Sequence, residues 1–154
     1  MIRIILATHA GLGKAMLDTA AVISGGTEGV HTVGLYPGDG AEDVETALRE
    51  QIRAHKEDTI LCLVDIPGGS PARVAATLAM ETSDFHAVSG LNLGMLTEAL
   101  MLKDSMDIAQ LKDHIMASAI YTITDVGNSL RAALLKEEDK REERCPLTSG
   151  RSGI

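Results

Sequence analysis

The chain has no tryptophan, one phenylalanine and two tyrosines in 154 residues. Its core must therefore be aliphatic, and it offers no aromatic platform on which bases or sugars could stack. Cysteine is as scarce: Cys62 lies in an apolar run and Cys145 in a polar tail, and no C-x-x-C occurs. That pattern excludes a disulfide framework and fits a reducing compartment. Long hydrophobic runs are missing too. The apolar N-terminus spans only a few residues and lacks the flanks and length of a secretory signal or membrane anchor, so a soluble, cytoplasmic protein is expected. Positive charge is in deficit, 14 Lys and Arg against 22 Asp and Glu, giving a formal charge of −8. Nucleic acid and anionic membrane surfaces are excluded as partners on that ground, and a partner with a basic face is suited.

What is present is 45% hydrophobic sequence, enough for one domain with a sizeable core and short for two. The apolar pattern alternates strands and helices. Ile2–Ala7, Val30–Leu35, Thr59–Val64 and Phe85–Ser89 read as strands, the first and third continuously apolar as expected of buried parallel strands. Helices are expected over Gly11–Ile23, from Ala41 along the stripe Val44, Leu48 and Ile52, from Pro71 to about Met80, and over Met95–Leu102. Ile108, Leu111 and Ile115 mark another, and Val126, Leu130 and Leu134 one more. Asp39 is the expected cap of the second helix with Glu42 three residues on, and Ser70 that of the third, with Pro71 its first residue. Residues 1–136 are expected to form the domain. Glu137–Arg144 is all charge and Pro146–Ile154 small and polar, the expected fraying helix end and disordered tail.

A βαβαβαβ order implies an open, doubly wound parallel α/β sheet with helices on both faces. If the strand order is 2-1-3-4, the first and third strands are neighbours whose crossovers leave to opposite sides, and a crevice opens above their carboxyl ends. His9 closes the first strand and Asp65 the third. Neighbouring strands lie roughly 4.8 Å apart, so imidazole and carboxylate can reach hydrogen-bonding contact. Gly68-Gly69-Ser70 at a helix start adds unpaired N–H groups and a positive dipole end, an anion site. A nucleophilic imidazole, an orienting carboxylate and an anion cradle describe phosphoryl transfer through a phosphohistidine, with one ring nitrogen held and the other free to attack phosphorus.

Blander roles compete at each position. A strand-end histidine alone is more often structural, Asp65 alone a helix-entry residue and Ser70 an N-cap. Thr8 can meet phosphate or pack, and Asn92 and Met95 are explained as well by turn and core. His31, His55, His86 and His114 lack ligand-like spacing, so they read as structural or solvated and no metal is expected. Gly11-Leu-Gly13-Lys14 fails as a Walker loop, which needs Gly at Thr8 and Ser or Thr at Ala15. It fails as a Rossmann fingerprint, which needs Gly at Met16 and an acid closing the second strand. No cofactor is expected, and phosphate must arrive already attached to something.

At these residues the chain resembles the EIIA component of the mannose family of the bacterial phosphoenolpyruvate-dependent sugar phosphotransferase system, over residues 1 to about 135. The likeness runs through Ile4-Ile-Leu-Ala-Thr-His9, Leu17-Asp-Thr-Ala20-Ala-Val-Ile23-Ser-Gly25, Pro37-Gly38, Leu63-Val-Asp65, Gly68-Gly-Ser-Pro71 and Ser89-Gly-Leu-Asn92-Leu-Gly-Met95-Leu96. The resemblance implies that His9 takes phosphate from phospho-HPr and passes it to a cognate EIIB that serves a membrane permease. It also implies that Asp65 supports His9 and that Thr8, Ile66, Gly68, Gly69 and Ser70 surround the phosphate. Family members are cytoplasmic homodimers whose C-terminal segment can exchange as an extra edge strand. Three departures stand out: Ile66-Pro67 replaces a frequent aromatic, with Pro67 removing one amide; Gly94 replaces a frequent Pro; Ala10 replaces a frequent Gly. No EIIB sequence follows the tail, so a free-standing EIIA is expected. Two related readings are a regulatory EIIA-like protein whose phosphorylation a partner senses, and the phosphocarrier subunit of a dihydroxyacetone kinase. A flavodoxin-type ligand binder is disfavoured by the missing aromatics.

Overall fold

Alternate residues of the first strand serve opposite layers, and this parity organises the molecule. The computed structural model describes residues 1–144. In chain order the elements are β1 (Ile2–His9), α1 (Leu12–Ser24), β2 (Val30–Leu35), α2 (Ala41–Ala54), β3 (Thr59–Val64), α3 (Ser70–Glu81), β4 (Phe85–Ser89), α4 (Leu93–Leu102), α5 (Ile108–Tyr121) and α6 (Val126–Arg144). The four strands pair in parallel in the order β2-β1-β3-β4, as expected. Ile4 and Leu6 of β1, with Leu61 and Leu63 of β3, face a layer built from Ala20 of α1, Met95, Leu96 and Ala99 of α4, and Leu111 and Ile115 of α5. Ile5 and Ala7, with Ile60, Cys62 and Val64, face Val44 and Leu48 of α2 and Val74, Ala75 and Leu78 of α3. Each fully buried Leu or Ile is worth about 1.5–3 kcal/mol of transfer free energy, so both faces of the sheet hold it in place.

Register sets the ends of β1 and β3 side by side: Ala7 pairs with Val64, so His9 and Asp65 leave the sheet next to each other. The crossover after β1 packs on one face and that after β3 on the other. The crevice between them is the switch point.

Helix starts differ from expectation by one residue in two places. Gly40, not Asp39, precedes α2, and its N–H donates to Asp43 at 2.7 Å, while Asp39 accepts Tyr36 N–H at 2.8 Å. Gly69, not Ser70, is the N-cap of α3, leaving Ser70 as the first helical residue and Pro71 as the second. Pro71 has no N–H to lose there. α4 begins at Leu93, earlier than expected, because the Asn92 carboxamide accepts Met95 N–H at 2.9 Å. Gly94 gives this helix end room: a Cβ there would fall 2.2 Å from Thr122 Cγ2.

The chain divides into two compact units, one of residues Met1–Thr122 and one beginning at Ile123. The sheet and α1 to α5 lie in the first. In the second, the Asp125 carboxylate accepts Asn128 N–H at 3.0 Å at the start of α6. Val126, Leu130 and Leu134 recur along α6 at intervals of four residues and are exposed. The charged stretch Glu137–Arg144 is helical. The C-terminal segment expected to carry an apolar stripe and to exchange, Ile120–Leu135, comprises the end of α5 and the first part of α6, and among the described residues the sheet has four strands. The tail expected over Pro146–Ile154 lies outside the described residues.

Candidate active site

His9 and Asp65 meet across the crevice. One carboxylate oxygen, Oδ2, accepts the His9 backbone N–H at 2.8 Å and lies 2.9 Å from Nδ1; the other, Oδ1, accepts the Ile66 N–H at 2.9 Å. Burial pushes the Asp65 carboxyl up, but the hydrogen bonds from His9 N–H, the imidazole and Ile66 N–H together outweigh it and hold it below its ordinary value. An ionised carboxylate only accepts, so the proton in the Nδ1 contact belongs to the ring, and in the neutral tautomer this contact selects the lone pair lies on Nε2. The asymmetry of exposure suits this division: the Asp65 side chain is 8% exposed and that of His9 42%.

The free edge of the ring lies against the start of α3. A Cβ built on Gly69 would fall 2.7 Å from His9 Cε1 and 3.2 Å from Nε2, so glycine is required at 69 for space. Gly68 is required for conformation, its φ of +85° lying in the left-handed region. Pro67 and Pro71 carry no N–H, and that of Ile66 is taken by Asp65. The N–H groups of Gly68, Gly69, Ser70 and Ala72 have no acceptor among the described hydrogen bonds. They form a donor set at the positive end of a helix dipole beside the His9 ring, which is suited to an anion. Ala10, directly after His9, holds a positive φ of 49°, local strain of the kind that clusters at functional sites.

The structure uses two of the expected phosphate ligands otherwise. Thr8 is 1% exposed and lies on the sheet face opposite His9, where its Oγ1 accepts Gly13 N–H at 2.8 Å and fastens the entry to α1. The Ile66 amide holds Asp65 in place of an anion, and its side chain is exposed beside Gly69. Asn92 caps α4 and Met95 is buried in the core, so both take the structural role.

The remaining histidines stand apart from the site. His31 and His55 rings lie 5.2 Å apart, and burial, then His55 and Arg3, push His31 below its ordinary value. Burial likewise lowers His86, with Lys112 adding to it. His114 Nε2 lies 3.0 Å from Glu98 on exposed helix surface. Among the described residues no cluster of three metal-ligating side chains forms.

Two features were not anticipated. Leu12, Tyr36 and Ile66 follow β1, β2 and β3 and are exposed at the carboxyl edge of the sheet, an apolar rim around the crevice. Arg73 reaches back to Ser70, its Nη2 3.4 Å from Oγ. Its i, i+3 spacing from Ser70 on a helix was the available signal.

The family model described as "PTS system fructose IIA component" matches residues 3–116. The sorbose-specific EIIA component of the phosphotransferase system of Klebsiella pneumoniae is 31% identical over 119 residues, covering 77% of this chain and 87% of that protein. The mannose-specific EIIAB component of Escherichia coli K12 is 31% identical over 134 residues, covering 85% of this chain and 40% of that protein. Among solved structures, the EIIA component from Streptococcus agalactiae superposes with a TM-score of 0.77 at 31% identity, covering 83% of this chain and 99% of that one. With the strand order and crevice described above, these likenesses establish that the chain belongs to the mannose-type EIIA family of phosphotransfer proteins of the sugar phosphotransferase system.

Proposed function

We propose that His9 is a transient phosphate carrier, accepting a phosphoryl group from phospho-HPr on Nε2 and passing it to a cognate EIIB in the course of sugar uptake. The observation that carries this reading is the orientation of the ring: Asp65 engages Nδ1 while Nε2 borders Gly69 at the start of α3. The Nε2 lone pair forms a bond to phosphorus as the bond from phosphorus to the donor atom breaks and its electron pair leaves with the donor. The ring becomes cationic and its Nδ1 proton remains on the Asp65 hydrogen bond, where the carboxylate stabilises the charge. In transfer to EIIB a nucleophile of that protein bonds to phosphorus as the bond from phosphorus to Nε2 breaks, and its electron pair returns to the ring, which becomes neutral again.

Gly68, Gly69, Ser70 and Ala72 N–H groups, with the Ser70 hydroxyl, are the proposed phosphate donors. No step uses a metal or cofactor. Leu12, Tyr36 and Ile66 supply apolar surface on which HPr and EIIB dock in turn, and the acidic chain steers partners with basic faces. The protein acts in the cytoplasm and connects to the membrane only through the permease that EIIB serves. Among the described residues no helix is long and apolar enough to cross a membrane. A homodimer buries the exposed apolar stripe of α6.

The test is incubation with phosphoenolpyruvate, Enzyme I and HPr. The wild type should take up one acid-labile phosphate, and the His9→Ala variant none. Labelling of His9→Ala would end this reading.

A further inference from the structure

We infer that Arg73 is a phosphate-binding residue that closes on the phosphoryl group carried by His9. The inference rests on the phosphocarrier reading above and adds to it the cation that its charge balance needs. A phosphoryl group brings about −1.5 to −2 charge to the crevice, beside an Asp65 whose carboxyl is already ionised and which lies 2.9 Å from the ring. The donors identified so far are neutral: four backbone N–H groups and one hydroxyl. A helix end adds only about half a positive charge.

Arg73 is a cation that the structure brings to this loop. It lies one turn into α3 and is exposed, and among the described residues its guanidinium forms no ion pair with a carboxylate. Arg3 and Arg49, by contrast, are both tied to carboxylates. Among the described residues its side-chain partner is Ser70 Oγ at 3.4 Å, a long contact that leaves the fork free to turn. Ser70 does not cap α3, so its hydroxyl has no competing backbone partner there. Arg73 also lines a groove of about 320 Å³ with Pro67, Gly68 and Ser89, which runs from the loop along α3 towards the end of β4. This groove gives the side chain a path beside the cradle. A guanidinium there can hold two phosphoryl oxygens at once, the geometry for which arginine is suited above lysine.

The test measures the phosphoryl equilibrium between phospho-HPr and this protein, and the hydrolytic lifetime of the phosphorylated form, for wild type, Arg73→Gln and Arg73→Lys. Arg73 is exposed, so both variants should fold and unfold thermally as the wild type does. Arg73→Gln should still be labelled on His9, but the equilibrium should move towards HPr by about tenfold, the size expected for losing one charge-assisted hydrogen bond. The phosphorylated form should also hydrolyse faster, and Arg73→Lys should recover part of both effects. An equilibrium within twofold of wild type for Arg73→Gln overturns the inference. A fall in transfer rate with an unchanged equilibrium also overturns it, since Arg73 would then contact the donor protein and not the phosphoryl group. Failure of the carrier reading itself is a separate result, labelling of His9→Ala.

Discussion

Asp65 Oδ2 takes both hydrogen bonds that His9 can give it, from the backbone N–H at 2.8 Å and from Nδ1 at 2.9 Å. One oxygen thereby fixes both where the residue sits and how its ring is turned, and Nε2 is left on the side of α3. The carboxylate is thus an orienting group first and an electrostatic one second.

Replacing Asp65 by Ala should remove both effects. Single-turnover phosphorylation from phospho-HPr should slow by about 10- to 1000-fold, the usual loss when acid–base or electrostatic support is removed. Rapid-quench measurement of the phosphorylated fraction checks it; a rate within threefold of wild type would show that Asp65 does not orient the ring.

Gly69→Ala should be as damaging from the other side of the imidazole. Its Cβ would stand 2.7 Å from Cε1, closer than side-chain carbons approach, so the ring or the loop must shift. Chemistry that depends on alignment tolerates little displacement, and transfer should fall by roughly 100-fold while the fold survives. Circular dichroism and the same rapid-quench assay together separate displacement from unfolding.

Acid should weaken the molecule through the same carboxylate. The folded value of Asp65 is lowered, so its contribution is fully present above the ordinary value of 3.8 and is lost as pH falls through the lower, folded value. Urea unfolding of wild type and Asp65→Asn across pH 2 to 7 should show a gap that is constant at the upper end and closes at the lower.

Cys62 carries the opposite sign at the alkaline end. Burial pushes its thiol from 9.0 up to about 12, with a partly offsetting hydrogen bond from the Ala7 backbone. The unfolded chain ionises first, so stability should fall as pH rises above about 9. Relative to Cys62→Ala, the wild type should lose about 1.4 kcal/mol per pH unit there. In a Cys145→Ser background, a thiol reagent at pH 8 should label Cys62 only after denaturation.

Much of this site is legible in the chain because strand ends are. Continuous apolar runs mark β1 and β3, and the positions of His9 and Asp65 follow once those two strands are neighbours. Thr8 was legible in principle, since residues one apart on a strand face opposite ways, and the family likeness obscured that parity. The engagement of the Ile66 amide was not legible, because it depends on the rotamer that Asp65 adopts to meet His9. Ser70 and Asp39 each missed their expected capping role by one residue. The caps are set by backbone angles in the preceding loop, and both Gly40 and Gly69 hold extended conformations that end the loop one step later or earlier than side-chain preference suggests. Arg73 is not legible in the sequence because a lone arginine on a helix is ordinarily solvated, and its return to Ser70 is a feature of the folded chain.

In the proposed relay one named atom, His9 Nε2, carries the phosphoryl group. Nitrogen-15 and phosphorus-31 NMR of the protein phosphorylated through phosphoenolpyruvate, Enzyme I and HPr reads the site of attachment directly. The arrangement of Asp65 and Gly69 predicts a single phosphohistidine at residue 9, bonded through Nε2 and with Nδ1 still protonated. Phosphate on Nδ1, or on any other residue, would contradict it.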